Sequence, residues 1–374
     1  MNLSSEDQLR LNVLANNADA IRIDEGSMTV YGYSDKGEAR IQLNPNGLPD
    51  QYIRAVKECL SGAVLGSPGG YPVFLKRWTR MGQQPDQHLG DLLKLGEDEA
   101  VMAVVCAPGL TPELARLAWW HQPTFDNARR MLARECVGKS EFGRELADFI
   151  IEFLPFETDS VAIIEGIRLI LQTGLIDNET RDKIWRAGQR KSAFRVGFLL
   201  ATPEDLPDKP DARALNDNVN ARLRALMDEG NHAAIQLGGL FRPSGRAFML
   251  ACKSVINRPV DQDVVVALMH AMYRFFSPID NQPNPVGSIA DAEKKAREIC
   301  DRGYSDTNPE LAAMLQQVPE LKPELQAALT LSRVGEPAVD DILGHTDAVG
   351  TVMKKRLEPM TQPVLQQFRI LLGE

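Results

Sequence analysis

The sequence predicts a mainly α-helical protein. It should be an irregular array of stacked antiparallel helix pairs, HEAT-like in places, with a small N-terminal β-meander. Three observations carry this. Leu and Ala are plentiful while aromatic residues make up only 6% of 374 residues, a balance that favours helix over sheet. A helix-start signal, proline followed by Glu and Leu, recurs at Pro112, Pro309, Pro319 and Pro323. Proline suits the first helical position because its missing N–H would be unpaired there, and the Glu beside it favours the positive end of the helix dipole. Short β-branched or aromatic segments with rough alternation stand between residues 20 and 43, and past Pro45-Asn46-Gly47 the helical signals take over.

Taken in order, residues 5–15 read as a short helix capped by Ser4 or Ser5, whose hydroxyls can accept from free N–H groups of the first turn. Ala20–Asp24, Met28–Tyr33 and Glu38–Leu43 read as three strands separated by Gly26 and by Asp35-Lys36-Gly37. A meander of that size must pack on something else. Glu141–Leu154 places Phe142, Leu146, Phe149, Ile150 and Phe153 on one stripe and stops at Pro155. Asp159–Thr173 is apolar on most faces, as a central helix would be. Arg213–Glu229, Gly245–Asn257 and Asp261–Phe276 complete the clear helices. The stretch from Gly335 through Leu357 has the cadence of a HEAT-type pair, without a constant period along the chain.

The length exceeds a typical single domain. The expected division is a helix-plus-meander start (1–50), a first helical domain (51–201), a proline-rich linker (202–212) and a second helical domain (213–374). Ser277–Ser288 is a second proline-rich stretch. The net charge of −9 argues against a general nucleic-acid coat. That acidity sits at the ends: residues 1–50 carry 4 basic and 8 acidic groups, residues 301–374 carry 7 and 11, and residues 51–200 balance at 19 each. Five scattered cysteines, none in a CxxC pair, fit a reduced, cytoplasmic compartment. The acidic N-terminus lacks an apolar signal region, and no apolar run approaches the ~20 residues that cross a bilayer, so no membrane role is expected.

Motifs that would carry chemistry are missing. There is no Walker loop, no GxGxxG after a strand and no GxSxG. Gly66-Ser67-Pro68-Gly69-Gly70 loses backbone donors to Pro68 and Pro72, so a structural turn is expected rather than a phosphate cradle. Five histidines never fall at HxH or HExxH spacing, and Glu229-Gly230-Asn231-His232 reads as a helix end. His270, between Met269 and Met272, reads as a hydrogen-bonded core histidine, and Cys106 as a buried structural thiol. No cofactor or metal is expected.

Basic residues are, however, interleaved with all four tryptophans. Lys76, Arg77, Trp78 and Arg80 form the densest cluster; Trp119, Trp120, Arg129 and Arg130 are the centre of a second; Arg181 to Arg195 around Trp185 make a third. Arg supplies bidentate bonds and Trp a flat stacking face, so such pairing suits a surface that grips anions or acidic partners. The same pattern fits a structural reading, with the rings in the core and the arginines paired to Glu113, Asp126 and Asp182. Trp119 and Trp120, adjacent on a helix, sit about 100° apart and do not both fully face one core.

Leu65–Gln83 (LGSPGGYPVFLKRWTRMGQ), Ala20–Tyr31 (AIRIDEGSMTVY) and Ala115–Arg130 (ARLAWWHQPTFDNARR) together resemble DsrS. That is a family of cytoplasmic proteins encoded alongside the reverse-acting dissimilatory sulfite reductase of sulfur-oxidising bacteria. The resemblance spans most of the chain, brings no catalytic residues with it, and implies a setting in sulfur oxidation. The expected function is a non-enzymatic accessory or regulatory scaffold that binds a protein partner of sulfur metabolism through the Trp/Arg residues. The alternatives are an RNA-binding regulator using the same basic-aromatic segments, and an enzyme whose site is assembled from distant residues.

Overall fold

The computed structural model describes residues 3–66, 88–280, 283–301, 309–344 and 350–374. It is mainly α-helical with a three-stranded antiparallel sheet at the N-terminus. Chain contacts divide it into two units, Met1–Phe156 and Glu157–Glu374. Among the described residues, no helix is long and apolar enough to cross a membrane.

The first unit opens with α1 (Ser5–Asn17), β1 (Ala20–Asp24), β2 (Thr29–Ser34), β3 (Gly37–Gln42) and α2 (Pro49–Leu65). Ser4 caps α1, its Oγ accepting from the N–H of Asp7 at 3.1 Å. The strands pair in the order β1-β2-β3, with Arg22 opposite Tyr31 and Tyr31 opposite Arg40. Side chains alternate across a strand, so the sheet has two distinct faces. Ile21 and Val30 face a core built with Leu11, Leu14, Tyr52, Val56 and Leu60 of α1 and α2. Gly32 lies against α1: a Cβ there would stand 2.4 Å from Leu14 Cδ1. The buried Tyr52 hydroxyl donates to Asp7 Oδ2 at 2.5 Å and joins the two helices. The outer edge of β1 is covered as well, since Ile21 N–H donates to Leu93 O at 2.9 Å and Arg22 bridges Gly96.

The unit continues through α3 (Leu89–Leu92), α4 (Asp98–Cys106), α5 (Pro112–His121), α6 (Phe125–Leu132), α7 (Glu135–Gly138) and α8 (Glu141–Phe153). Pro112 stands at the first turn of α5 and Thr111 caps it, its Oγ1 accepting from Leu114 N–H at 3.3 Å. On α8, Phe142, Leu146 and Ile150 are buried as the stripe predicts, whereas Phe153 stays exposed.

The second unit holds α9 (Ser160–Gln172), α10 (Asn178–Ala187), α11 (Ser192–Ala201), α12 (Asp217–Asp228), α13 (His232–Phe241), α14 (Pro243–Ile256) and α15 (Gln262–Phe276). These are followed by α16 (Ile289–Asp301), α17 (Pro309–Gln317), α18 (Lys322–Leu331), α19 (Pro337–Leu343) and α20 (Gly350–Leu372). Phe248, Phe276 and Phe368 of α14, α15 and α20 are fully buried together. The third of the four proline signals, at Pro319, makes a single 3₁₀ turn that leads into α18.

Both proline-rich stretches lie inside this unit. Within Thr202–Asp211, Leu206 is buried and Asp205 pairs with Arg181 and Lys209. After Ser277, Asp280 and Arg333 form a buried ion pair. The helix expected from Arg213 begins instead at Asp217, because Arg213 is drawn into other bonds. Its guanidinium donates to the carbonyls of Ile370 (2.9 Å) and Leu371 (3.0 Å) at the end of α20 and to Glu324 Oε1 (2.6 Å), and it lies over the Phe241 ring.

Close packing of α9 on α11 depends on Gly197, where a Cβ would stand 2.8 Å from Ile167 Cβ and Cγ2. Gly197→Ala should therefore overpack this contact and lower unfolding free energy by about 1–3 kcal/mol. Chemical denaturation followed by circular dichroism checks this.

Candidate functional site

The last turn of α5 places Trp119, Trp120 and His121 in succession, about 100° apart around the axis, and each reaches a different neighbour. Trp119 meets Phe149 of α8 edge-on at 4.6 Å, and Phe149 stacks on Phe153. Trp120 crosses to the outer face of the meander. His121 is buried between β1 and the start of α4.

The meander's outer face is where aromatic and cationic side chains converge. Strand register sets Arg22, Tyr31 and Arg40 in one cross-strand row and Ala20, Tyr33 and Glu38 in the next. Trp120 lies over both rows. Its ring centroid is 5.4 Å from that of Tyr33, and its Nε1–H donates to Glu38 Oε2 at 3.0 Å. The Arg22 guanidinium stands 5.0 Å from the Tyr31 ring and 5.1 Å from the Trp120 ring, so two π faces hold one cation. Tyr33 and Arg40 are exposed, whereas Arg22, Tyr31 and Trp120 are half-buried.

Directly below lies a titratable group of side chains. His121 Nδ1 is 2.7 Å from the carbonyl oxygen of Ile21. A carbonyl only accepts, so this nitrogen carries the proton and donates. Nε2 stands 3.4 Å from Asp98 Oδ1, a contact in which Nε2–H donates to the carboxylate when the ring is protonated. Burial lowers the pKa of His121, against the opposing pull of the Ile21 carbonyl and Asp98. Next to Asp98, Glu97 is only 9% exposed. Burial pushes its carboxyl up to about 7; Lys57 opposes this, while Glu99 and Glu25 add to it. Lys57 is itself held by Glu25 at 2.8 Å. Among the described residues no cluster of His, Cys, Asp and Glu is arranged to hold a metal ion.

The residues singled out by sequence separate. Lys76, Arg77, Trp78 and Arg80 lie outside the described residues. Trp119 and Trp120 diverge as above. Arg129 and Arg130 both bond Asp126 of their own helix, at 2.6 and 2.7 Å. Trp185 is buried, edge-on to Phe198 with Arg195 over its ring, so that tryptophan belongs to the core of the second unit.

Two other expectations are overturned. Cys106 is exposed, with Arg130 Nη1 3.7 Å from its sulfur, because the thiol sits at the open end of α4 facing α6. His270 is exposed on α15, whose buried side is formed instead by Val265, Leu268, Met269 and Met272. The outer-face residues Arg22, Tyr31, Tyr33 and Arg40 fall outside the basic–tryptophan runs of the sequence. Their signal was the period of two within AIRID, TVYGYS and GEARIQ.

Glu97 makes stability depend on pH with a defined sign. Its folded pKa is raised from 4.5 to about 7, so the stabilisation from the bound proton is complete below the unfolded value. It is lost as pH rises through the folded one. Glu97→Gln should abolish that fall and gain about 1–3 kcal/mol at pH 8 relative to wild type, with little gain at pH 4.5. Denaturant titrations at the two pH values test this.

Compared with known proteins, the chain matches no family model, no curated protein and no solved structure.

Proposed function

We propose that this chain is a non-enzymatic accessory protein, a helical scaffold that binds an acidic segment of a protein partner on the outer face of its meander. The observation that carries the reading is the stack of Tyr31, Arg22 and Trp120, with Tyr33 and Arg40 exposed beside it. Tyr, Trp and Arg are the residues that concentrate binding energy at interfaces. A guanidinium already held between two rings loses little freedom when a carboxylate docks, so more of the contact energy remains for binding. The resemblance to DsrS makes a protein of sulfur oxidation in the cytoplasm the partner class to test first.

An RNA partner is favoured less by this geometry. Single-stranded bases need open aromatic faces on which to stack. Trp120 lies across the sheet and already packs on Tyr33 and Arg22. Those contacts occupy ring surface that a base would need, while the exposed Arg40 guanidinium beside them suits a carboxylate.

Arg40→Glu and Tyr33→Ala should each weaken capture of the partner at least about tenfold while leaving the melting temperature within a few degrees of wild type. The check is affinity capture from lysate with wild type and both variants, paired with thermal melts. Equal recovery by all three proteins would remove this face from the interaction. Ribonuclease-sensitive capture with a steep salt dependence would point to RNA instead.

A further inference from the structure

A groove in the second unit carries an inference independent of the meander face. It has a volume of about 340 Å³ and runs between α9 and α15. Its walls include Val161, Ile164 and Arg168 from successive turns of α9 and Asp263, Ala267, His270 and Arg274 from α15. The two helices start side by side, since the Ser160 hydroxyl donates to Asp261 Oδ2 at 2.5 Å. The order along the groove is therefore the same on both walls. Asp263 stands at one end, Ile164 and Ala267 in the middle, and Arg168, His270 and Arg274 at the other.

The groove then continues. A second cavity of about 170 Å³ shares Leu200 and Arg274 with the first and runs on past Phe275. From Asp263 to Phe275 the α15 axis rises about 18 Å, the reach of roughly five residues of extended chain.

The charges along this path are available. Among the described residues, Arg168, His270, Arg274, Asp263 and Glu336 have no hydrogen bond or ion pair through their side chains, whereas Glu165, which also lines the groove, is already engaged. Most buried or half-buried cations elsewhere in this unit are matched: Arg213 with Glu324, Arg222 with Glu320 and Arg333 with Asp280. Glu336 lies toward the cationic end, because its neighbour Gly335 abuts Tyr273, and it offsets one of the positive charges there. Asp263 lies beside the cap carboxylates Asp159 and Asp261, which makes the opposite end acidic.

From this we infer that the groove binds an extended peptide segment of about five residues from a partner protein. A carboxylate of the segment lies against Arg168, His270 and Arg274, apolar side chains lie on Ile164, Ala267 and Leu200, and a basic group faces Asp263. Two guanidiniums from different helices suit a planar carboxylate better than a diffuse anion. The apolar middle excludes a ligand that is charged throughout.

The test uses the full chain and a panel of fluorescein-labelled pentapeptides, each with a basic residue at one end, an acidic residue at the other and apolar residues between. Anisotropy should show saturable binding by members of the panel. Replacing the acidic residue with its amide, or the central apolar residue with serine, should weaken it about tenfold. Arg274→Glu should cause a similar loss, and peptides with a basic residue in place of the acidic one should regain binding to that variant. This rescue would not follow from a merely structural role. Arg40→Glu, on the meander, should leave peptide binding unchanged, which separates this groove from the face proposed above. No saturable binding by any panel member, binding indifferent to Arg274→Glu, or equal binding by a short fatty acid such as hexanoate would each overturn the assignment.

Discussion

The first unit depends on covering both faces of a sheet too small to be stable alone. Its inner face is closed by the apolar side chains of α1 and α2. Its outer face carries a cation, Arg22, in the middle strand row, and no purely apolar cover would satisfy that charge. The rings of Tyr31 and Trp120 satisfy it through their π faces while still removing hydrocarbon from water. Because Trp120 comes from α5, this stack also joins the meander to the helices that follow. The same atoms that stabilise the unit leave Tyr33 and Arg40 at its surface, and that is why the candidate interface sits there.

His121, the next residue on α5, makes the companion contact on the buried side. The His121 imidazole, donating to the Ile21 carbonyl, ties α5 to β1 just where the Ile21 N–H···O=C Leu93 bond and the Arg22–Gly96 bridge cover that strand's edge. The acidic segment Glu97–Glu99 follows at once. Of that segment Asp98 meets His121 while Glu97 is buried, and burial moves Glu97 and His121 in opposite directions: Glu97 holds its proton more tightly and His121 less tightly.

Arginines in the second unit are put to two different uses. Arg213 and Arg333 are drawn inside, where each joins segments far apart in sequence through a carboxylate. Arg213 also donates to two carbonyls in the last turn of α20, where the helix runs out of its own N–H partners. Such buried pairs contribute little net stability, but losing one partner is costly. Arg168 and Arg274 instead point into a groove with an apolar floor. Arg213 and Arg333 each meet a carboxylate across a packing interface, and Arg168 and Arg274 meet none among the described residues.

Local features were legible from the residues alone. The Ser4 cap, the three strands, the proline start of α5, the stripe on α8 and the Asp261 start of α15 all depend on neighbours within about four positions, and periodicity reports those. The pairing of Arg129 and Arg130 with Asp126 was also readable as spacing on one helix. What remained hidden was decided by contacts across many residues. Trp120 meeting Glu38, Arg130 reaching Cys106, Arg213 reaching Ile370 and His270 turning outward each depend on how helices are set against each other. A helix period specifies which residues share a face. It does not specify which face meets a partner, because that choice is made by the sum of packing and charge pairing over the whole unit.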